Sequence, residues 1–508
     1  MAGLPLSDRT YTLRDFVPFL EGPRPVHLTP EAKRQVHASH ERLSQALNSG
    51  ARIYGVTTGF GDLSQVDVSA QDQKQLQLNL VRSHAAGVGE PLAAGLTRLV
   101  MVLKTITLLR GYSGVRLEVL NQLLNFLNHD LLPVIPSQGS VGASGDLTPL
   151  AHLALALIGE GKVSLQGRVL PSLVALKEVG LPPLTLEPKE GLSLINGTQV
   201  STAFAIKALI LTQRLLQAAD MVGALSVEGS LCTAAVFHPK IHALKKHPGQ
   251  RLVAKNLWKL LAESEIVRSH QDCDRVQDPY SFRCLPHVHG TARDMFAAVK
   301  TMIVREVNSV SDNPLILEDG EVVTSGHFHA EPVAQAMDNL AITMAEVGAM
   351  SERRTHFFMK GIPPAVPPFV ASNPGLESGY MMAHVTAAAL ASENKTLAHP
   401  ASVDSLPTSA GQEDIVSMAP WAGRKCLQVL NHVAQILAIE LLVTSAAIVK
   451  FHFPKKCGKG TSVLMDALQE EIHVPEGDVP LQDLIQHLSE LILSGKLIEP
   501  IRKTINLD

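Results

Sequence analysis

The chain has 508 residues, a formal net charge of −4, and 45% hydrophobic against 18% charged residues. This near-neutral charge, with dispersed Lys and Arg, lacks the basic stripe of nucleic-acid-binding proteins, so we expect no nucleic-acid partner. The ordinary Gly and Pro content excludes collagen-like and low-complexity chains. At this length we expect two domains or one very elongated helical body.

The cysteine content and the length of the apolar runs indicate the cellular compartment of the protein. Only five cysteines occur, without a C-x-x-C pair, which predicts a reducing environment. The first nine residues lack a basic stretch followed by an apolar one, so we expect no secretory signal. The uncharged runs 192–206 and 378–392 are shorter than the ~20 apolar residues of a membrane span. We therefore predict a cytoplasmic protein without a membrane partner.

Helical periodicity dominates the chain. Apolar residues recur at i, i+3, i+4 and i+7 in five segments that we predict to be helices: 96–103, 120–127, 332–358, 430–441 and 481–492. Within 99–109 Lys104 is the only charge, so this helix should be buried in a large bundle or a subunit interface. Period-two strand patterns are short and few, as at 321–324 after the Asp319-Gly320 turn.

Two Pro-rich stretches interrupt the helical pattern, at 171–188 and 363–374, and we predict both as loops or extended segments. The first suggests a domain boundary near Asn196. We predict a smaller mixed N-terminal domain over 1–196 and a long-helix bundle with a C-terminal helical region over 197–508. The fold class is therefore mainly α.

The most unusual segment is Gly139-Ser140-Val141-Gly142-Ala143-Ser144-Gly145-Asp146-Leu147-Thr148-Pro149. Thr148 and Pro149 suit the N-cap and first position of a following helix. The glycines let the backbone bend and approach a ligand closely. No Gly-Lys-Ser/Thr follows for a phosphate loop, and the serine does not lie in a G-x-S-x-G elbow. Taken alone, the segment is a tight turn that leads into a helix.

The triplet Ala143-Ser144-Gly145 resembles the cofactor-forming segment of the aromatic amino acid ammonia-lyase family. In that family the triplet cyclises on itself into 4-methylidene-imidazol-5-one, so no external cofactor is expected. The Gly145 nitrogen would attack the Ala143 carbonyl carbon, and Ser144 would lose its hydroxyl as water. The product is an electrophilic alkene, which none of the twenty side chains provides.

Further motifs carry the same resemblance in family order along essentially the whole chain. They comprise Tyr54 to Gly61 (YGVTTGFG), Asn79 to Gly89, Leu194 to Thr198, Gln277 to Cys284, Ser311 to Pro314, Phe328 to Pro332, Leu397 to Ser405, and Gln412 to Asp414. The resemblance implies the ammonia-lyase/fumarase-like architecture of long helices. It also implies a homotetramer whose active sites are shared between subunits.

The family match assigns catalytic roles by position. It implies that Tyr54 removes the β-proton of an amino acid substrate as a phenolate base. Arg283 would hold the substrate carboxylate through a bidentate fork. Asn196, Gln277 and Tyr280 would line the prosthetic ring and stabilise charge that develops there.

Substrate choice depends on two polar residues. His84 and Glu413 resemble the imidazole-binding pair of histidine-specific members, and Phe328 would pack beside the substrate. An unpaired buried imidazole costs about 1–3 kcal/mol, whereas a phenyl ring would gain nothing from this pair. The expected reaction is elimination of ammonia from L-histidine to give trans-urocanate, the first step of histidine degradation.

Two alternatives remain open at this point. The first is a tyrosine or phenylalanine ammonia-lyase or aminomutase of the same family, and the second is a catalytically silent helical scaffold. A metal is not expected, because the pairs His287-x-His289 and His327-x-His329 have no further ligands at zinc-like spacing. Positions that depart from the family pattern include Lys104, Ile106, His287, His327, Gly411 and Ile415.

Overall fold

Helices make up most of the computed structural model, which describes residues 3–271 and 275–505; Cys273 lies outside them. The first part of the chain alternates short strands with helices: β1 Leu4–Leu6, α1 Val17–Glu21, β2 Val26–Leu28, α2 Pro30–Asn48, α3 Gln73–His84, β3 Val88–Pro91, α4 Ala94–Leu109, α5 Leu117–Asn128, β4 Leu132–Pro133, β5 Pro136–Gln138, α6 Leu147–Leu157, β6 Lys162–Leu165, β7 Arg168–Pro171, α7 Ser172–Glu178 and α8 Glu190–Ile195.

Among its described residues, the remainder consists of helices and loops with one short hairpin. Its elements are α9 Gln199–Gly229, α10 Pro239–Ala243, α11 Pro248–Leu260, α12 Glu265–Arg268, α13 Tyr280–Arg283, α14 Leu285–Val307, β8 Leu315–Ile316, β9 Val322–Val323, α15 Glu331–Met359, α16 Met381–Leu397, α17 Ala419–Ala447, α18 Lys459–Glu471, α19 Gln482–Ser494 and α20 Glu499–Thr504. The prediction of a mainly α protein is confirmed, and the five predicted helices lie in α4, α5, α15, α17 and α19.

The strands form only small sheets. Strands β1 and β2 pair in parallel, and β3 pairs antiparallel with β5. Strands β4, β6 and β7 form a three-stranded antiparallel sheet. Strand β9 lies within the strand predicted at 321–324 after the Asp319-Gly320 turn, and it pairs with β8 before the turn. Among the described residues, the sheets therefore serve as local connections around the helices.

Two sequence predictions about local structure were wrong. The stretch 171–188 contains helix α7, because the seven residues after Pro171 include no proline and a proline is tolerated at a helix start. Helix α6 begins at Leu147 with Asp146 as its N-cap, so Thr148 lies inside the helix. The backbone carbonyl of Asp146 accepts from Leu150 N at 3.0 Å, which closes the first turn two residues earlier than Thr148 would.

Two compact units can be distinguished. The first contains residues 1–207, 301–338 and 400–424, and the second contains 208–300, 339–399 and 425–508. The predicted domains, 1–196 and 197–508, remain a prediction, and they differ from these units because two later segments join the first unit. Within that unit, every residue of α4 from Leu96 to Leu109 is buried, as its apolar composition predicts.

One helical stretch, Ala419–His452, is long and apolar enough to cross a membrane by length and composition. However, 83% of its most apolar window is buried inside the protein. A core helix of a soluble protein has this composition because all of its faces contact other apolar elements.

Candidate active site

A cavity of about 400 Å³ in the first unit collects most of the predicted site residues. Six of them line it: Tyr54, Ala143, Ser144, Asn196, Phe328 and Glu413. This volume lies in the usual range for small-molecule sites. Residues separated by more than 350 positions in the chain thus meet around one space.

The loop that carries the triplet is bent by its glycines. Gly145 has φ +70°, and a Cβ at this position would lie 2.2 Å from the Gly197 carbonyl oxygen. The Ser140 hydroxyl stabilises the bend, because it accepts from Gly142 N at 3.1 Å and donates to the Gly145 carbonyl at 3.2 Å. Any residue with a side chain at 145 would therefore force the loop away from the Gly197 turn.

Asp146 joins this loop to the start of α9. Its backbone nitrogen donates to the Gly197 carbonyl at 2.8 Å. Its buried carboxylate accepts from Ser201 N at 2.8 Å and from Ser201 Oγ at 2.6 Å. Burial raises the pKa of Asp146 to about 6, although the bonds from Ser201 oppose this rise. The carboxylate thus satisfies a backbone donor in the first turn of α9, which lacks a partner within the helix.

Lys104 supports the other side of the site. Its fully buried ammonium donates to the carbonyl oxygens of Asn196 at 2.5 Å and Ser193 at 3.0 Å, at the end of α8. Burial lowers the pKa of Lys104 to about 7, against the opposing charges of Asp312 and Asp146. The residue that departs from the family pattern here therefore holds the backbone of a predicted catalytic residue.

The triplet and its surroundings fit a ring of the methylidene-imidazolone type. Gly145 has the bare Cα that its close approach to Gly197 requires, and Ser144 opens into the cavity. The buried Asn196 Oδ1 has no hydrogen-bond partner among the described residues, although it belongs to a side chain that lines the cavity. Such an unpaired acceptor is unusual in a protein interior and leaves this side chain with hydrogen-bonding capacity for a ligand in the cavity.

Tyr54 lines the cavity from the loop between Ile53 and the turn at Gly61. Its phenol oxygen accepts from Gly61 N at 2.9 Å, and its ring lies 5.4 Å from that of Phe60. Burial, together with the negative charge of Glu413, raises the pKa of Tyr54 above its usual value. The hydrogen bond from Gly61 opposes this shift because it favours the phenolate.

Glu413 contacts the triplet directly. The Ser144 hydroxyl donates to Glu413 Oε1 at 3.0 Å, while Thr408 and Ser409 donate to Oε2 at 2.6 and 2.9 Å. These bonds fix the carboxylate with one oxygen directed at the serine. The predicted acceptor for an imidazole is thus held in place before any substrate binds.

His84 ends helix α3 near this carboxylate. Its Nδ1 lies 2.8 Å from the Leu80 carbonyl, and the edge of the Phe60 ring contacts it at a centroid distance of 5.1 Å. Burial lowers the pKa of His84, and the charge of Glu413 opposes the change. The ring is thus oriented by one backbone carbonyl and one aromatic neighbour.

Five predicted site residues do not line this cavity, although two of them, Gly145 and His84, lie in the same unit. Gln277, Tyr280 and Arg283 belong to the second unit, where Tyr280 is 70% exposed. The Arg283 guanidinium lies over the Tyr280 ring at 4.7 Å, and its Nε is buried without a partner among the described residues. Gln277 lines a separate cavity with Trp258. Their roles remain predictions.

The histidine pairs have separate surroundings. His289 is fully buried and pairs with Asp220 at 3.0 Å, whereas His287 lies against another histidine ring, that of His242. His329 lines the cavity and His327 is exposed. Among residues 3–271 and 275–505, the donors close enough for a metal are those of Glu352, His356 and His384, in neither pair. The absence of a catalytic metal remains a prediction.

The cavity also contains residues that sequence reasoning did not assign to the site. Asn313 and His329 both line it, and both belong to segments that match the family. Ile415, one of the departures from the family pattern, lines it as well. Phe60 lies between Tyr54 and His84 and contacts both rings. Asn313, His329 and Phe60 lie in family motifs, and this was the sequence feature that could have indicated them. Only the folded chain shows which side chains of those motifs share the cavity.

Comparison with known proteins gives the family. The aromatic amino acid lyase family matches residues 11–470. Histidine ammonia-lyase of Myxococcus xanthus is 42% identical over 494 residues, which cover 97% of each chain. The crystal structure of histidine ammonia-lyase from Trypanosoma cruzi is 36% identical with a TM-score of 0.91, over 99% of this chain and 95% of that one. Tyrosine aminomutase from Streptomyces globisporus is 30% identical with a TM-score of 0.93, over 100% of both chains. The chain belongs to the aromatic amino acid lyase family.

Proposed function

We propose that this protein eliminates ammonia from L-histidine and releases trans-urocanate, the first step of histidine degradation. The observation that carries the proposal is the Glu413 carboxylate, which is fixed by Thr408 and Ser409 and directed at Ser144. A histidine imidazole can donate to such an acceptor. A phenylalanine ring cannot, so Oε1 of this half-buried carboxylate would gain no hydrogen bond from it.

We propose that Ala143, Ser144 and Gly145 form a 4-methylidene-imidazol-5-one without an external cofactor. This group supplies an electron-poor alkene that promotes departure of the substrate amine. Formation requires the Gly145 nitrogen to bond to the Ala143 carbonyl carbon, whose oxygen leaves as one water with the amide protons of Gly145 and Ser144. The Ser144 hydroxyl leaves as a second water with the Ser144 Cα proton. The bend at Gly145 and the Ser140 contacts support this assignment because they compact the backbone around the triplet.

The chain's own residues would then handle the proton and the substrate. Tyr54 Oη would remove the β-proton, and the Gly61 N–H would stabilise its phenolate. Asn196 Nδ2 would donate to oxygen on the ring, and Glu413 and His84 would bind the imidazole. Phe328 would cover the substrate and reduce the access of water.

Substitution of Glu413 tests the substrate. We expect Glu413→Gln to lower kcat/KM for L-histidine about 10- to 100-fold, because it replaces a charge-assisted hydrogen bond with a neutral one. Urocanate absorbance measures the reaction. Glu318→Gln is a matched control on the surface of the same unit, where the exposed Glu318 accepts from the Tyr112 hydroxyl at 3.2 Å.

The alternatives give different results in the same assay. A cinnamate-type product from tyrosine or phenylalanine, without urocanate from histidine, would identify another lyase of the family. A β-amino acid product would identify an aminomutase, an activity that the Streptomyces globisporus protein carries in its name. No product from any of the three amino acids would favour the silent scaffold.

We further propose a cytoplasmic homotetramer in which Gln277, Tyr280 and Arg283 complete the cavity of another subunit. Their absence from the lining of the Tyr54 cavity supports this arrangement, as does the unpaired Arg283 Nε. A carboxylate bound by Arg283 would satisfy that donor.

Co-expression of two inactive variants tests the shared site. Chains with Tyr54→Phe and chains with Arg283→Met should each have little activity. Their mixed tetramers should recover activity at about a quarter of the sites, because random mixing restores both residues to that fraction. Size-exclusion chromatography with light scattering measures the assembly. If the mixture stays as inactive as its components, the site is not shared in this way.

A further inference from the structure

A buried glutamine outside the cavity connects the elements that carry the predicted base, the predicted imidazole ligand and Asn196. Gln77 lies in α3 and is fully buried. Its Nε2 donates to the Gly55 carbonyl at 2.8 Å, one residue after Tyr54. Its Oε1 accepts from Leu192 N at 2.9 Å, in the first turn of α8.

Each of these bonds satisfies a backbone group that needs a partner. Leu192 N belongs to the first turn of α8, where backbone donors have no acceptor within the helix. The Gly55 carbonyl lies in a loop whose Gly55 has φ +65° and packs its Cα against the Leu192 side chain. The Gln77 amide therefore links this loop to α8, the helix that ends immediately before Asn196.

The backbones around Gln77 are also unusually close. A Cβ at Gly191 would lie 2.6 Å from the Gln77 carbonyl oxygen, so α3 and α8 contact each other through backbone atoms. His84 lies seven residues after Gln77, two turns along the same face of α3. A displacement at Gln77 would consequently move Tyr54, His84 and Asn196 relative to one another.

We propose that Gln77 is a positioning residue, which sets the distance between Tyr54 and the Asn196 side of the cavity through its bonds to Gly55 and Leu192. This inference rests on the proposed function, because we expect the rate of β-proton removal from histidine to depend on that distance. Gln77 does not line the cavity, so it acts through the backbone and not by contact with the substrate.

Two variants separate the bonds of Gln77. Gln77→Met keeps the length of the side chain and removes both bonds, and we expect kcat for histidine to fall about 10- to 100-fold with KM changed less than about threefold. Gln77→Glu keeps the acceptor for Leu192 N and loses the donor to Gly55. Its activity relative to wild type should rise as the pH falls, because a protonated carboxyl group can again donate to the Gly55 carbonyl.

Gln122→Met is the matched control. Gln122 is a buried glutamine of the same unit, and its Nε2 donates to the Pro182 carbonyl at 2.9 Å, away from the cavity lining. Both Met variants lose buried hydrogen bonds, so thermal melting should detect similar losses of stability. Only Gln77→Met should lose kcat at a temperature where both are folded, and its mass should still lack two water molecules.

The possible results are distinct. Equal kcat in Gln77→Met and Gln122→Met would overturn the inference. A Gln77→Met chain of full translated mass would also overturn it, since ring formation would then be the affected step. If Gln77→Met does not fold, a flat activity ratio for Gln77→Glu across pH contradicts the inference. Failure of the wild-type chain to convert histidine would instead overturn the proposed function.

Discussion

Ser144→Ala should abolish the conversion of histidine, with a loss of at least ~10³-fold in kcat, equivalent to about 4 kcal/mol. The variant lacks the hydroxyl that must leave to form the alkene, so the amine of the substrate has no electrophile to assist its departure. The change is small sterically, because the serine lies at the edge of a cavity and not in a packed core.

Intact-protein mass spectrometry gives an independent measurement of the same step. The wild-type chain should be lighter than its translated sequence by two water molecules, one from cyclisation and one from dehydration of Ser144. Ser144→Ala cannot lose the second. Ser172→Ala is the control, since Ser172 is a buried serine of the same unit that donates to the Ala156 carbonyl at 2.6 Å. A wild-type chain of full translated mass would remove the basis of the proposed chemistry.

Tyr54→Phe should have the second large effect, a fall in kcat of about 10²- to 10⁴-fold, the range expected for loss of a general base. The phenyl ring keeps the contact with Phe60, whereas the oxygen that accepts from Gly61 N is lost. Tyr112→Phe is the control, because the Tyr112 hydroxyl contacts Glu318 on the surface of the same unit.

The pH dependence of the rate distinguishes a base from a structural tyrosine. The pKa of Tyr54 is raised, so the phenol form predominates at neutral pH and the phenolate fraction increases as the pH rises. We therefore expect kcat/KM of the wild type to increase through the alkaline range with a tyrosine-like limb. Tyr54→Phe should lose that limb, and Tyr112→Phe should keep it. An unchanged profile in Tyr54→Phe would assign the base elsewhere.

Local sequence patterns predicted a helix well where its composition alone determines whether it is buried. Helix α4 is apolar nearly all round over 99–109, where Lys104 is the only charge, so its burial follows from the sequence. Helix α7 was missed because the surrounding prolines dominated the local pattern, although none lies within its seven residues. The start of α6 was misplaced because the carboxylate of Asp146 bonds to Ser201, a contact between residues 55 positions apart.

Only the site residues that lie in family motifs could be predicted from the sequence. The resemblance identified Tyr54, Ser144 and Glu413, which the fold brings to one cavity. The sequence did not indicate the role of Gln77, because this residue lies in a polar stretch that is typical of a solvent-exposed helix. Its burial depends on the close approach of α3 and α8, and a single sequence does not specify tertiary contacts of that kind.

The hydrogen bond between Ser144 and Glu413 has a consequence for newly made protein. Before the ring forms, the serine hydroxyl occupies Glu413 Oε1, the oxygen that we assign to the substrate. Under the proposed chemistry, dehydration of the serine would remove this donor and free the oxygen. The immature chain would thus block its own recognition group, and the step that creates the electrophile would also release it.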